Sequence, residues 1–326
     1  MTKIKTIGVL TSGGDSPGMN AAIRAVVRGA IYHGLEVYGI QRGYQGMVDN
    51  DMDKMESHSV SNIIQLGGTI LKTARCGDFM TFEGRQKAYN NLKQRGIDAL
   101  VVIGGDGSFA GAEEFGKEFD LPIVGIPGTI DNDICGTEYT IGYDTALNTV
   151  VEAVDKIRDT ASAHNRLFFI EVMGRNAGFL TLHGGIATGA EAIMVPELTN
   201  DYDMLEVFLQ NAHKKHKTSS IVLVAEGDEI GGALKLADKV KKEHSEYDVR
   251  VTILGHIQRG GSPTARDRIN AGRMGVSAIE ALLKGEHGVM IGLMKDQIVH
   301  HPFSRSKKQK RPLDEKLLEL IGILSI

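Results

Sequence analysis

Short apolar runs alternate with helix-period segments along almost the whole chain. The runs Ile4–Leu10, Leu35–Ile40, Ala99–Ile103, Ile123–Ile126, Leu167–Val172, Ile221–Ala225 and Val251–Leu254 predict strands. They are rich in Val, Ile and Leu and barely alternate with polar residues, as strands covered on both faces should be. Between them, apolar residues recur at helical spacing over Ala21–His33, Arg85–Arg95, Thr145–Thr160, Asp203–His216, Leu234–His244 and Ile269–Leu283. Such alternation implies right-handed crossovers and a mostly parallel sheet with helices on both faces, an α/β fold. A length of 326 residues predicts about two domains. A polar, glycine-bearing stretch at Thr137–Gly142, just before a long helix, is where the pattern puts a boundary. No repeat of 20–50 residues is visible.

Charge and composition narrow the function. Lys+Arg 37 against Asp+Glu 41 leaves a net charge of −4, which argues against a nucleic-acid surface or a polybasic membrane anchor. No apolar run approaches ~18 residues, and Met1–Leu10 is charged and broken rather than leader-like. The two cysteines, Cys76 and Cys135, form no CxxC pair and fit a reducing cytoplasm, which is the expected location. Glycine is the outlier: 40 of 326 residues is about 12%, against a usual ~7%. Without collagen periodicity, that excess predicts many loops where backbone approaches a ligand.

Ligands bind at the carboxyl ends of parallel strands, so the loops after the strands carry the candidate chemistry. The first, TSGGDSPGMN (Thr11–Asn20), opens a helix and can form a nest of N–H groups for phosphate; it reads equally as a tight turn capped by Asp15 or Ser16. GGDGS (Gly104–Ser108) sets Asp106 among glycines at a strand end, where a carboxylate can hold Mg²⁺ on a polyphosphate. PGTIDND (Pro127–Asp133) places Asp131 and Asp133 two residues apart, on one side of an extended loop, for proton acceptance and orientation; an Asx-turn is the plainer alternative. MGRNAG (Met173–Gly178) and GHIQRGGSP (Gly255–Pro263) offer Arg175 and Arg259 at strand ends, where a guanidinium binds phosphate bidentately. Arg166 and Arg250 are expected at the beginnings of their strands, on the opposite edge.

Some features are decoys. Gly105-x-Gly107 lacks the acidic residue of a dinucleotide site, and Gly111-x₄-Gly116-Lys117 reads as helix with Glu118 where a P-loop needs Ser or Thr. His213 with His216, and His300 with His301, lack zinc-type partners. The basic run SRSKKQKR (Ser304–Arg311) reads as a solvated connector rather than an anion patch.

Taken together, TSGGDSPGMN, VVIGGDGS, GTIDND, MGRN and GHIQRGGSP, in this order and spacing from about Ile7 to Val299, resemble the bacterial ATP-dependent 6-phosphofructokinase family. The resemblance implies two Rossmann-like α/β/α domains: residues 1–141 plus 258–306 for ATP, and 142–257 plus 307–326 for fructose 6-phosphate. It implies transfer of the ATP γ-phosphoryl group to the C1 hydroxyl, with Asp131 as base and Arg175, Thr129 and Gly14 as further catalytic residues. Mg²⁺ would sit on Asp106, with Asp133 acting through water. ATP would be lined by Gly14, Arg75, Cys76, Gly105, Asp106, Gly107 and Ser108. The sugar phosphate would meet Thr129, Ile130, Asp131, Met173, Gly174, Arg175, Glu226, His256, Ile257, Gln258 and Arg259. Arg166 and Arg250 would reach in from a neighbouring subunit of a homotetramer. Arg24, Arg28, Arg158, Gly189, Glu191, Lys215 and Lys217 would form an inter-subunit effector site.

Two rivals remain on the same fold. Pyrophosphate-dependent relatives carry Asp and Lys where this chain has Gly107 and Gly128, and an acidic residue at 107 would repel the α-phosphate. A non-catalytic nucleotide sensor would have lost Asp131 or Arg175, and both are present. Ala177 and Phe179 stand where Cys and Asp are common, and Ser57, Thr218 and Ser219 replace charge or imidazole near the effector residues.

Overall fold

The structure is a computed structural model describing residues 4–162, 166–198, 201–214, 220–308 and 311–324. In chain order its elements are β1 (Thr6–Thr11), α1 (Met19–Tyr32), β2 (Glu36–Ile40), α2 (Tyr44–Asp49), β3 (Met52–Met55), α3 (Phe82–Gln94), β4 (Ala99–Gly104), α4 (Asp106–Phe119), β5 (Ile123–Pro127) and α5 (Tyr143–Ser162). They continue as β6 (Arg166–Val172), α6 (Phe179–Thr188), β7 (Ala192–Met194), α7 (Asp201–Lys214), β8 (Ser220–Ala225), α8 (Ala233–Glu243), β9 (Asp248–Ile253), α9 (Ala265–Leu283), β10 (Val289–Met294), β11 (Gln297–Pro302), α10 (Phe303–Lys308) and α11 (Glu315–Leu324). Each periodic segment forms the element it predicts, with ends displaced by a few residues; the predicted end at His216 lies outside the described residues. The α/β fold with mostly parallel sheets is present.

The chain divides into two compact units. One comprises Met1–Thr129, Ile134–Thr145 and Arg259–Lys310; the other comprises Ile130–Asp133, Ala146–Gln258 and Arg311–Ile326. The first holds a seven-stranded sheet among its described residues, in the order β11-β10-β5-β4-β1-β2-β3. The inner strands run parallel, and β3 and β11 are antiparallel edges. Ile7, Val9, Val101 and Ile103 line one face under α1 and α9, while Leu10, Leu100 and Val102 line the other with Phe109 and Phe115 of α4. The two covering helices approach closely because Gly275 faces Ala25, whose methyl lies 2.5 Å from where a Cβ on residue 275 would sit. The second unit holds a parallel sheet, β7-β8-β6-β9. Phe169, Val222 and Val224 pack there against Leu205 and Leu209 of α7 and Leu236 and Val240 of α8.

The periodicity misses β3, β7, β10, β11, α2, α6, α10 and α11. Most are short, and α6 contains Gly184 and Gly185, whose low helix propensity hides it; its buried face, not propensity, forms the helix. No described helix is long and apolar enough to cross a membrane.

Sheet order places the candidate loops. In the first sheet, successive connections leave β1 on opposite sides, towards β2 and towards β4, so the loops after β1 and β4 open at a switch point. In the second, β6 lies between β8 and β9, so the loops after all three gather at one edge.

The residue just before the basic run is an anchor. Phe303 is 1% exposed and stacks on Phe109 at 5.4 Å, over Gly125, where an added Cβ would sit 2.6 Å from each ring. Phe303→Ala is therefore expected to cost about 3–5 kcal/mol of unfolding free energy, measured in urea. A variant within ~1 kcal/mol of the parent would show that the ring is not part of this core.

Candidate active site

In the first unit, Ser12 at the end of β1 donates its backbone N–H to the Ile103 carbonyl, and Ser108 donates its hydroxyl to Ser12 Oγ at 2.9 Å. These bonds lock the loops after β1 and β4 side by side. A Cβ on Gly104 would come within 2.5 Å of the Ser12 carbonyl oxygen, so this packing needs glycine. Gly14 faces Arg259, whose Nη1 donates to the Asp15 carbonyl and would meet a Cβ on residue 14 at 2.6 Å. Gly105 and Gly107 instead face open space, beside an exposed Asp106 whose Oδ1 accepts the Gly107 N–H. Arg75 is exposed, and Cys76 is half-buried, with burial pushing its thiol pKa up. Gly128 differs from Gly107: Met19 and Ile103 would lie 3.1–3.2 Å from an added Cβ, so a longer residue there must displace them. Gly111 and Lys117 lie within α4, Lys117 pairing with Glu113, as their helical reading requires.

A buried carboxylate organises this region. Asp267, in the first turn of α9 and 1% exposed, accepts the Gly142 N–H on Oδ1. On Oδ2 it accepts both the N–H and the hydroxyl of Thr145. Thr264 caps α9 by accepting the Asp267 N–H, donates its hydroxyl to Asp144, and donates its own N–H to Thr145 Oγ1. The adjoining Ile141 donates to the Pro127 carbonyl and accepts the Thr129 N–H, while Thr140 donates its hydroxyl to the Thr129 carbonyl. Thr129 is thus held by a chain of bonds that ends on Asp267. No reading of the sequence singled out this residue, although Thr264-x-x-Asp267 before a helix has the form of a capping box.

In the second unit, Asp131 is 5% exposed and its Oδ2 lies 3.9 Å from Arg175 Nε. The expectation of an extended loop with Asp131 and Asp133 on one side is corrected. The chain bends at Ile130 and Asp131, and Asn132 adopts a left-handed φ of +53°, which breaks the alternation. Ile130 is fully buried beneath the bend. Arg175 also has a left-handed φ, of +52°; its N–H and that of Gly174 are donated to Glu226 Oε1 at the end of β8. Gln258, fully buried, accepts the Met173 N–H and donates to the Gly255 carbonyl, while His256 and Ile257 are exposed. Met173, Gly174, Arg175, Glu226 and Gln258 are therefore brought together.

Arg166 opens β6, but the expected position of Arg250 at a strand start is corrected: β9 begins at Asp248 and Arg250 is its third residue. Both arginines bond Asp248 and hold its carboxyl below the ordinary range, Arg166 contributing most. Of the residues expected at an effector site, Arg24 and Arg28 lie on α1. Arg158 bonds Glu191 and the Thr188 and Gly189 carbonyls at the end of α6. Lys215 and Lys217, with Thr218 and Ser219, lie outside the described residues. Among the described residues no cluster of three His, Cys, Asp or Glu forms a ready-made metal site.

The phosphofructokinase family pattern matches residues 6–282. The chain is 61% identical over 326 residues to ATP-dependent 6-phosphofructokinase 2 of Bacteroides thetaiotaomicron, covering 100% of both chains. It is 54% identical over 323 residues to ATP-dependent 6-phosphofructokinase of Halalkalibacterium halodurans, covering 99% of this chain and 100% of that one. It superposes on phosphofructokinase from Saccharomyces cerevisiae with a TM-score of 0.87 and 39% identity, over 98% of this chain and 47% of the longer yeast chain.

The Asp267 carboxyl is raised from 3.8 to about 6; burial is the main cause, opposed by the Thr145 and Gly142 donors. The folded state thus holds this proton more tightly than the unfolded chain. Its contribution to stability is complete below pH 3.8 and is lost as pH rises through 6. A shift of about two units corresponds to ~3 kcal/mol. The unfolding free energy of the parent, minus that of Asp267→Asn, should fall by about that amount between pH 4 and pH 7. Parallel pH–stability curves would show that Asp267 titrates normally.

Proposed function

We propose that this chain, which belongs to the phosphofructokinase family, uses Asp131 as the general base of its reaction. The reaction is ATP-dependent phosphorylation of fructose 6-phosphate to fructose 1,6-bisphosphate and ADP, a step of glycolysis. The observation that carries the assignment is a buried carboxylate facing a guanidinium, Asp131 Oδ2 to Arg175 Nε at 3.9 Å, on a loop at a strand end. Asp131 takes the proton of the C1 hydroxyl as its oxygen attacks the γ-phosphorus, and the bond to the β,γ-bridging oxygen breaks to release ADP. The exposed Arg175 side chain, fixed through its backbone by Glu226, neutralises charge on the transferring group. Thr129 and Ile130 place the loop, while Met173, Gly174, His256, Ile257, Gln258 and Arg259 hold the sugar phosphate.

The donor loops suit ATP. Open space at Gly105 and Gly107, with Gly14, Ser108, Arg75 and Cys76, leaves room for the nucleotide. Asp106 fits Mg²⁺: one exposed carboxylate among open glycines matches an ion that takes most of its other ligands from phosphates and water. Asp133 would assist through water. When bound, the ion offsets charge on the polyphosphate. The subunit-bridging roles of Arg166 and Arg250, a homotetramer, a cytoplasmic location and the effector role of Arg24, Arg28, Arg158, Gly189, Glu191, Lys215 and Lys217 belong to the same proposal. They rest on the family resemblance.

Asp131→Asn keeps the shape but removes the proton acceptor, so kcat should fall by ~10²–10⁴ with KM values changed far less. A variant within threefold of parental kcat would remove the assignment.

Gly107→Asp should fold normally, since its Cβ meets nothing within 4 Å. It sets a carboxylate against the α-phosphate, where two unit charges ~4 Å apart at an effective dielectric of ~20 repel by roughly 4 kcal/mol. ATP-dependent turnover should collapse in a coupled assay. An unchanged KM for ATP would place the α-phosphate elsewhere.

A further inference from the structure

The loop that carries Asp131 has a weak point at its centre. Asn132 is 1% exposed and left-handed, in a segment, Ile130–Asp133, that contains no glycine. Asn tolerates that conformation better than other non-glycine residues, and contacts from outside the loop fix it further. The surroundings include the last residue of the basic run. Arg311 Nη1 donates to the Asn132 carbonyl at 3.2 Å, and the Arg311 guanidinium carbon lies 4.7 Å from the centre of the Phe179 ring. Phe179 is 3% exposed and opens α6, directly after the loop that bears Arg175.

These contacts close a ring within one unit: Arg311 to Asn132, Asp131 to Arg175, and along the backbone to Phe179 beneath Arg311. We propose that Arg311 is a positioning residue for catalysis, its guanidinium fixing the Asn132 peptide and thereby the distance between Asp131 and Arg175. This inference rests on the reading of Asp131 as the base. The groups that face the cation suit the role. His183 on α6 is held below its ordinary pKa, mainly by burial and further by Arg311, and Asp314 supplies the opposing charge. The plainer alternative is a tether for the C-terminal segment, because α11 packs on α6.

The test compares Arg311→Met, Arg311→Lys and Asp131→Asn in the full chain, measuring kcat, both KM values and the pH dependence of kcat. A misplacement of ~1 Å at a reacting group can cost ~10²-fold. Arg311→Met is therefore expected to lose ~10- to 100-fold in kcat, with KM for ATP and fructose 6-phosphate within about threefold of the parent. Its acid limb should move to higher pH, because a cation is lost and Arg175 is released from Asp131. Arg311→Lys, which keeps charge and a donor, should recover most of the rate. Parental kcat and an unmoved acid limb in Arg311→Met would reduce Arg311 to a tether. So would a loss shared equally by kcat and both KM values that lysine does not rescue. If Arg311→Met fails to fold, Phe179→Leu removes the ring beneath the guanidinium while keeping an apolar side chain; there, parental kcat and acid limb overturn the proposal. An inactive Asp131→Asn beside a fully active Arg311→Met defeats only this inference. An active Asp131→Asn defeats the assignment of the base itself.

Discussion

One carboxylate, Asp267, constrains much of the first unit. A charge removed from water is tolerable only if it is fully hydrogen-bonded, and Asp267 meets that condition with two backbone N–H groups and one hydroxyl. Satisfying it fixes Gly142 and Thr145 against the start of α9. Ile141, next in the chain, must then lie in register with the end of β5. Ser16 donates its hydroxyl to the Ile141 carbonyl, and Cβ atoms at Gly18 and Gly142 would run into Ile141 and Ser16. The glycine loop after β1 and the peptide that leads to Asp131 are therefore referred to a single buried point. The energetic tension is visible in the same group, since burial raises its pKa despite three donors.

The strand ends of the two units present different groups. The first presents backbone and small residues: glycines that either pack against neighbouring backbone, as at Gly104, or stay open, as at Gly105 and Gly107. That surface suits a polyphosphate, which needs N–H groups and space more than side chains. The second presents long side chains already committed to geometry. Glu226 is bonded to two N–H groups and Gln258 bridges two loops. That surface suits a substrate read by several directional contacts.

Much of this was legible in the sequence for a physical reason. Strands buried on both faces leave uninterrupted apolar runs, and ligand loops leave glycines beside charged residues at their ends. Those two signals located β1, β4, β5, β6, β8 and β9 and the loops that follow them. What stayed hidden depends on distance or on local conformation. The partners of Asp267 lie 125 and 122 positions away, so its role has no local signature beyond a cap. Asp131 and Asp133 mislead because period-two reasoning assumes extended backbone, which Asn132 abandons. Arg250 was misplaced because the polar start of β9 does not read as strand. Arg311 vanished into a charged run, a pattern that usually marks solvated surface.

The two loops closest to the proposed chemistry share one design. Each contains a non-glycine residue in the left-handed region, Asn132 or Arg175. Each is bonded through its backbone by a charged side chain from elsewhere in the chain, and the signs are complementary. The carboxylate of Glu226 receives N–H groups at Gly174 and Arg175, and the guanidinium of Arg311 donates to the carbonyl of Asn132. Hydrogen bonds to charged groups contribute about 1.5–3 kcal/mol each, against an intrinsic cost of ~1–2 kcal/mol for a left-handed residue. The bonds from Glu226 and Arg311 offset that cost, which is smaller for Asn132 than for Arg175. Glycine at 132 or 175 would relieve the strain, but it would also free the peptide to move, and at 175 it would remove the guanidinium itself. Keeping a side chain and restraining its backbone from outside gives Asp131 and Arg175 a fixed separation with no added bulk at these strand ends.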